Sequence, residues 1–163
     1  MIYFTADLHL GHAKIIEYCN RPFKTVEEMN NTILTNWECT IKPTDTIYVL
    51  GDLMFNRGVD LDRVIKLPGH KRILRGNHDR GFTDTKLKSL GFEIVYRCPI
   101  LLPWCKKFNV FIMHAPNQQV HGALNLCGHV HDSWKTKDGY YNVGVDVHNF
   151  TPVSLRTILT GGK

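Results

Sequence analysis

The sequence lacks any long apolar run, and no stretch approaches the roughly 20 residues that a membrane helix needs. It also lacks a basic region followed by an apolar segment at its start, since Asp7 comes after only a few residues, and this argues against a signal peptide. No internal repeat, low-complexity tract or linker rich in Pro, Gly or Ser occurs. With 163 residues, we expect one domain over 1–163, located in the cytoplasm and without a membrane partner.

Paired cysteine motifs and basic runs are lacking as well. The five cysteines have irregular spacing and no C-x-x-C pair, which favours free thiols in a reducing compartment and argues against a cysteine-rich zinc site. The 20 Lys and Arg exceed the 15 Asp and Glu by five, and adjacent basic pairs occur only at 71–72 and 106–107. This charge suits an anionic substrate but gives little support to a dedicated DNA-binding stripe.

Short apolar segments alternate with helical patterns in the first half of the chain. Strands are expected at 2–6, 47–50 and 72–74, with a helix after the capping-box sequence that starts at Thr25 and further helices at 59–67 and 83–90. The second half is expected to be mostly strands, at 92–96, 110–113, 124–127, 141–145 and 153–159. This pattern predicts an α/β domain with two packed sheets rather than a single wound sheet.

Side chains that can bind metal follow five of the expected strands. Each motif alone has an ordinary explanation as a turn, a loop start or a core histidine, but five in succession at strand ends are hard to explain in that way. Because ligands of open α/β sheets bind at the carboxyl edge, these side chains are expected to meet. The motifs are Asp7-Leu8-His9, Gly51-Asp52, Gly76-Asn77-His78-Asp79, His114 and Gly128-His129-Val130-His131.

The types of side chain in these motifs are chemically coherent. Carboxylate, amide and imidazole donors suit Mn²⁺, Fe or Zn²⁺, and no thiolate is needed. One metal ion would have more ligands than it can use, whereas two ions that share a carboxylate would use all of them. A pair of metal ions is a recurring solution for the hydrolysis of phosphate esters.

In these motifs and their order, the chain resembles the calcineurin-like metallophosphoesterase superfamily, and most closely its short single-domain members from bacteria and phages. The resemblance spans nearly the whole chain, including the segment 4–12 and the stretch from Tyr18 to Trp37. It implies a metallophosphoesterase-type βαβ sandwich, in which two mixed sheets are flanked by helices as four α/β/β/α layers.

The resemblance also implies a role for each motif residue. One metal ion would be held by Asp7, His9 and His131, and the other by Asn77, His114 and His129, with Asp52 bridging both. A hydroxide between the ions would attack phosphorus, His78 would give a proton to the leaving group and Asp79 could orient the His78 ring. Two divalent ions are implied, with Mn²⁺ preferred and Fe, Zn or Ni as alternatives. A structural turn residue is the alternative for His78.

Other residues near the motifs have more than one interpretation. His12 could contact substrate, support the site or cap a helix that begins near Ala13. Arg57 and Arg80 could bind phosphate or be solvated arginines. Trp134 and Lys135 could stack on a base and hold a phosphate, or they could belong to a hairpin with its turn at 138–139. The stretch 142–146 stands where many relatives have an N-P-G-S-like turn, so the contribution of that turn is open.

We expect a phosphodiesterase, because a chain with little spare length for a cap leaves an open site for bulky diesters. Its partner would be a phosphate-ester substrate such as a nucleotide or a nucleic-acid end. A phosphomonoesterase or protein phosphatase of the same superfamily is the alternative. A non-catalytic scaffold would show broken ligand positions, and all are present here; a nuclease subunit would need a partner-binding extension.

Overall fold

A computed structural model describes residues 1–55, 59–105 and 108–161, and side chains for all of these except 103–105 and 108. Five α-helices and two short 3₁₀ helices lie within these ranges, and none is long and apolar enough to cross a membrane. The four cysteines whose side chains are described, at 19, 39, 98 and 127, are free. The α-helices are α1 Lys14–Tyr18, α2 Val26–Thr40, α3 Leu61–Lys66, α4 Asp84–Ser89 and α5 Leu155–Leu159.

The first sheet carries four parallel strands and one antiparallel strand at its edge. Its order is β10-β1-β2-β3-β4, with β1 Ile2–Thr5, β2 Thr46–Val49, β3 His70–Leu74, β4 Phe92–Tyr96 and β10 Val153–Ser154. Helices connect the parallel strands, so the carboxyl ends of β1, β2 and β3 lie at one edge.

The second sheet has parallel strands at its centre and antiparallel strands at both edges. Its order is β5-β6-β7-β9-β8, with β5 Ile100–Cys105, β6 Phe108–Ile112, β7 Ala123–Cys127, β8 Thr136–Lys137 and β9 Tyr140–Asn142. Strands β8 and β9 form the hairpin expected at 138–139. Asp138 and Gly139 have φ of 50° and 82°, as a two-residue turn that matches strand twist requires.

Alternating side chains of the first sheet divide the apolar residues between two cores. In β2 and the residue after it, Ile47 and Val49 face the helices, whereas Tyr48 and Leu50 face the second sheet. The helix-side core takes buried residues from α1 to α4, such as Trp37 of α2. The intersheet core is closed by residues of the second sheet that include Val110, Ile112 and Leu126.

The two mixed sheets with flanking helices confirm the predicted fold class. The sheets also touch directly through a parallel bridge between Ala6 and Gly144. This bridge brings the residues after β1 against the residues after β9, at the edge where the motifs lie.

Three details of the expected elements differ from the structure. Residues 153–159 are wrong as one strand, because only 153–154 are extended; the Ser154 hydroxyl then accepts the Thr157 N–H at 3.0 Å and begins α5. Strand β5 was not expected. In the capping box, Thr25 accepts the Glu28 N–H at 3.1 Å, but the Glu28 carboxylate accepts from Lys24 rather than from Thr25.

Candidate metal centre

The seven expected ligand residues lie together at the carboxyl ends of strands from both sheets. Asp7 and His9 follow β1, Asp52 follows β2 and Asn77 follows β3. From the second sheet, His114 follows β6, and His129 and His131 follow β7. The site therefore sits where the carboxyl edges of the two sheets meet, as the parallel pairing predicts.

One group of ligand atoms belongs to Asp7, His9 and His131, and these atoms all lie within 4.8 Å of one another. Asp7 and His9 are buried. The carboxylate of Asp7 also accepts the backbone N–H of His129 at 2.8 Å. This contact fixes the strand end of the second sheet against the strand end of the first.

A second group is formed by Asn77, His114 and His129. The Asn77 Oδ1 lies 2.8 Å from His114 Nε2 and 3.1 Å from His129 Nδ1, and the two ring nitrogens are 3.3 Å apart. Asp52 lies between the groups, because its Oδ2 is 3.5 Å from both His9 Nε2 and His114 Nε2. A carboxylate in this position can serve both groups.

The unsatisfied atoms of the first group fit a bound cation. Asp7 Oδ1 and both ring nitrogens of His9 are buried and have no hydrogen-bond partner. Buried polar atoms in proteins are nearly always paired, so the Asp7 oxygen and the unprotonated nitrogen of His9 indicate a ligand. Oxygen and imidazole donors at these distances are what a divalent transition metal requires.

The second group gives an independent indication. The His114 Nδ1 lies 2.8 Å from the carbonyl oxygen of Leu50, which can only accept, so Nδ1 carries the proton. In a neutral ring, the lone pair of Nε2 then faces the Asn77 Oδ1 at 2.8 Å. Two acceptors at this distance repel each other unless a cation lies beside them. The residues present therefore fit a metal in each group.

Burial tunes the ionisable groups of the site. It raises the pKa of Asp7 to about 6, and the neighbouring His114 and His131 partly oppose this rise. Burial, together with the charge of His131, lowers the pKa of His9 to about 2. The pKa of His129 is also lowered by burial. Neutral imidazoles keep the lone pairs that metal coordination needs.

The backbone at the ligand positions is strained. Nine described residues other than glycine have positive φ, and five of them are expected ligands. L-residues in this left-handed region are uncommon, and such strain concentrates at functional sites. The five are Asp7 (57°), His9 (50°), Asp52 (56°), His129 (71°) and His131 (48°).

Glycine in the motifs permits the close approach of neighbouring ligand loops. A Cβ at Gly76 would lie 2.6 Å from the backbone nitrogen of Asp52. A Cβ at Gly128 would lie 2.7 Å from Asp7 Oδ2. Both distances are shorter than real contacts allow, so the absence of a side chain at these positions lets the loops pack against each other.

Arg21 and Asp146 orient His131, and the sequence analysis missed both. Asp146 accepts from His131 Nδ1 at 3.1 Å and makes two contacts of 2.7 and 3.0 Å with the Arg21 guanidinium. Arg21 is buried and also donates to the backbone carbonyls of Asp7 and Leu8. A carboxylate on one ring nitrogen fixes the direction of the other, as is common around metal-bound histidine.

The same contacts set the charges of this pair. Burial disfavours the charged forms of both, but the hydrogen bond between them and the surrounding opposite charges outweigh burial. As a result, the pKa of His131 is raised and that of Asp146 is lowered. Asp146 lies in the stretch 142–146, which the sequence placed near the site without indicating a role for this residue. Nothing in the sequence pointed to Arg21.

Asn142 shows what the stretch in place of the N-P-G-S-like turn contributes. Its amide donates to the carbonyls of His131 and Trp134 at 2.8 and 2.9 Å, and its Oδ1 accepts the Gly144 N–H at 2.8 Å. The side chain is fully buried. It therefore ties the loop that carries His131 to the end of the second sheet.

Asp79 has partners other than the His78 ring, which it was expected to orient. Its carboxylate accepts the backbone N–H groups of Asp52, Leu53 and Gly76 at 2.7, 3.0 and 2.8 Å. Burial raises its pKa, and these bonds oppose the rise. Asp79 therefore joins the Asp52 loop to the Asn77 loop.

His78 lies beside the ligands with its ring accessible. Its backbone N–H donates to Asp52 Oδ1 at 2.9 Å, and its Nε2 is 4.0 Å from Asp52 Oδ2. The side chain is 42% exposed, so the ring faces the space that a substrate can enter. This placement is compatible with proton transfer to a leaving group.

The remaining candidates separate into those at the site and those away from it. His12 lines a cleft beside His9, and Ala13 rather than His12 precedes α1 as its cap. Arg80 is exposed and lines a second cleft. Arg57 lies outside the described residues.

Trp134 and Lys135 lie just before strand β8 of the hairpin. Trp134 is half-buried and packs on the outer face of the second sheet, against the cluster of Phe111, Met113 and Cys127. Lys135 is exposed, and its carbonyl accepts the Asn142 N–H at 2.9 Å. Neither residue lines the two clefts beside the ligands.

Two clefts flank the ligand cluster. One, of about 450 Å³, borders Asn77, His114 and His129 and is here called the arginine cleft because it contains Arg75, Arg80 and Arg97. The other, of about 380 Å³, borders His9, His78 and His131 and is here called the histidine cleft. His129 lines both clefts and therefore lies between them.

Comparison with known proteins gives consistent matches. The sequence pattern of the calcineurin-like phosphoesterases matches residues 1–152. An uncharacterized protein of Methanocaldococcus jannaschii is 35% identical over 162 residues, covering 97% of this chain and 89% of that protein. The Gene 66 protein of Mycobacterium phage D29 is 26% identical over 185 residues, covering 93% and 92%. The crystal structure of a protein of unknown function from Aquifex aeolicus has a TM-score of 0.79 at 25% identity, covering 98% of both chains.

Proposed function

The chain belongs to the calcineurin-like phosphoesterase family, and from that premise we propose that it is a phosphodiesterase that acts on nucleotide-type diesters with two divalent metal ions. Membership implies metal-dependent hydrolysis of phosphate esters. We further propose Mn²⁺ as the ion, because carboxylate, amide and imidazole donors without thiolate suit it. The free thiols of the described cysteines favour the cytoplasm as the location.

The observation that carries this proposal is the set of buried lone pairs without partners on Asp7 and His9. We assign one ion to Asp7, His9 and His131, and the other to Asn77, His114 and His129, with Asp52 shared. When bound, such ions lower the pKa of water and neutralise charge on phosphoryl oxygens.

His78 supplies the proton in this proposal. Its ring is accessible and 4.0 Å from Asp52 Oδ2, so it can reach the leaving oxygen of an ester held at the ligands. Asp79 keeps the loop of His78 in place through its three backbone contacts. Arg21 and Asp146 hold the His131 ring in one direction.

Arg80 is the proposed contact for a substrate phosphate. It lies in the arginine cleft with Arg75 and Arg97, both of which pair with Asp84. Three guanidinium groups against one carboxylate leave a positive balance of two. This excess favours an anion in the cleft.

The two clefts also favour a diester over a monoester. One borders Asn77, His114 and His129 and the other borders His9 and His131, so both substituents of a diester find space. A monoester would fill only one. The two clefts together leave room for a bulky substrate that extends across the ligands.

The test is hydrolysis of bis(p-nitrophenyl) phosphate beside p-nitrophenyl phosphate, on EDTA-treated protein with Mn²⁺ added back. We expect faster cleavage of the diester, and no activity before the metal is returned. Faster cleavage of the monoester would favour a phosphomonoesterase instead. Activity that persists without metal would contradict the proposal.

A further inference from the structure

A continuous row of four aromatic rings leads from the surface to the ligand cluster. The Tyr18 and His12 centroids are 6.2 Å apart, those of His12 and Phe55 4.1 Å, and those of Phe55 and His78 5.2 Å. His12, Tyr18 and His78 line the histidine cleft. We call Tyr18, His12 and Phe55 the aromatic platform.

Exposed aromatic rings are uncommon among the side chains that the structure describes. Seven large hydrophobic side chains are exposed among the described residues, and five of them are not aromatic. The two aromatic ones are Tyr18, 67% exposed, and Phe55, 38% exposed. Both belong to the platform. Scattered exposed apolar residues need no explanation, but a row that ends at the site does.

The platform is held by the same backbone that positions the ligands. The Phe55 N–H donates to the Leu10 carbonyl at 2.8 Å, and Leu10 pairs with Met54 in a parallel bridge. The His12 N–H donates to the His9 carbonyl at 3.0 Å. Phe55 and His12 are therefore placed relative to the ligands by backbone hydrogen bonds.

We propose that the aromatic platform binds the nucleobase of the leaving nucleoside, an assignment that rests on the proposed function. Phe55 adjoins His78, which is the proposed proton donor to the leaving oxygen, so a substituent on the platform belongs to the leaving group. Every base has a π-face, and stacking on aromatic rings tolerates any sequence. The platform thus selects for a base without selecting which one.

The arginine cleft offers a place for the other substituent of the diester. It borders Asn77 and His114 rather than His9 and His131, and it carries the positive charge. The retained substituent of the diester, with any further phosphate, therefore points to Arg80. The substrate class is a dinucleotide or the end of a nucleic-acid strand, with a base on one side and a phosphate on the other.

The experiment compares a thymidine dinucleotide with its two counterparts that each lack one base, using Mn²⁺-loaded protein. Deletion of the base on the leaving nucleoside should lower kcat/KM about 5- to 150-fold, the range of one base–aromatic stack. Phe55→Ala should lower kcat/KM for the full dinucleotide by a similar factor. The same variant should change kcat/KM for that abasic substrate less than about twofold, because the stack is already lost.

Matched variants separate stacking from general damage. Phe55→Trp keeps a ring and should restore most of the activity on the full dinucleotide. Tyr18→Ala tests a second ring of the platform at a largely exposed position, with Tyr18→Phe as its control. An equal loss on all substrates in Phe55→Ala, or no loss on any, would overturn the assignment.

The outcome for the wild type distinguishes this inference from the proposed function. Cleavage of bis(p-nitrophenyl) phosphate without cleavage of any dinucleotide would overturn the platform assignment and leave a phosphodiesterase. Cleavage of neither would overturn the proposed function itself.

Discussion

At the scale of single residues, the site depends on groups that hold the ligands as much as on the ligands. Arg21 and Asp146 are buried together and determine the direction of the His131 ring. Asp79 fixes two loops through three backbone N–H groups. A buried group of this kind acts through geometry, so its loss should change metal affinity before it changes chemistry.

His78→Ala should retain metal and lose turnover. If the ring donates the proton, the loss should be about 10²- to 10⁴-fold and largest for esters with poor leaving groups. Steady-state rates on esters of graded leaving-group pKa would measure this, with metal content determined in parallel. His70→Ala removes an exposed histidine paired with Glu93 and serves as the control. Loss of metal in His78→Ala would contradict the assigned role.

Asp146→Asn should weaken metal binding about 10- to 100-fold, because the His131 ring loses the charged acceptor that directs it. Titration calorimetry with Mn²⁺ measures the affinity. Asp132→Asn is the control, since it removes the same charge at an exposed position next to His131 in sequence. Equal affinities in the two variants would show that Asp146 has no positioning role.

At the scale of elements, strand ends and helix ends carry the function. Parallel pairing of β1, β2 and β3 brings three motifs to one edge, and the Ala6–Gly144 bridge adds those of the second sheet. Lys71 of β3 stabilises the contact between the first sheet and the ends of α3 and α4. Its ammonium donates to the carbonyls of Val64, Ile65 and Leu90 at 2.8–3.0 Å, at the ends of α3 and α4.

Much of this element arrangement could be predicted from the sequence. The apolar runs before each motif located β1, β2, β3, β6 and β7, because buried parallel strands lack polar alternation. The segment 153–159 was wrong, because a cap by Ser154 overrides its apolar, β-like composition. Arg21 could not be predicted, since its contact with Asp146 spans 125 positions of sequence.

Gly76→Ala should disrupt the site through the backbone. The added Cβ would lie 2.6 Å from the Asp52 nitrogen, so the Asp52 loop must move and metal binding should fall at least about tenfold. Gly81→Ala is the control within the same turn, because a Cβ there meets nothing within 4 Å. Mn²⁺ titration of both proteins measures the effect. Unchanged affinity in Gly76→Ala would mean that the close packing of the loops is dispensable.

Lys71→Met should change how stability depends on pH. Burial lowers the pKa of Lys71 to about 8 from 10.5 in the unfolded chain. Between these values the folded protein binds fewer protons than the unfolded one, so this group's contribution to the free energy of unfolding rises with pH. The free energy of unfolding of the wild type, minus that of Lys71→Met, should therefore increase by on the order of 2–3 kcal/mol from pH 8 to 10.5.

Urea unfolding of both proteins at several pH values measures this difference. Groups that titrate identically in the two proteins, such as the buried cysteines and tyrosines, cancel in it. A difference that stays constant, or that falls as the pH rises, would contradict the effect assigned to Lys71.

At the scale of the whole molecule, the two sheets and their loops meet around one cluster of side chains that can bind metal. Metal ions that bind the folded state and not the unfolded one should stabilise it by about 2.7 kcal/mol at a hundredfold excess over Kd. For a chain of this size, the melting temperature should rise by about 5–10 °C. EDTA should reverse the rise, and Asp52→Ala should abolish it. A melting temperature insensitive to Mn²⁺ would contradict a metal centre that joins the sheets.

Anomalous diffraction from crystals soaked in Mn²⁺ tests the central claim most directly. We predict two anomalous peaks, one beside Asp7, His9 and His131 and the other beside Asn77, His114 and His129, with Asp52 in contact with both. A peak located instead among Cys19, His131 and Asp146, whose ligand atoms also lie within 4.8 Å of one another, would contradict the two-metal centre.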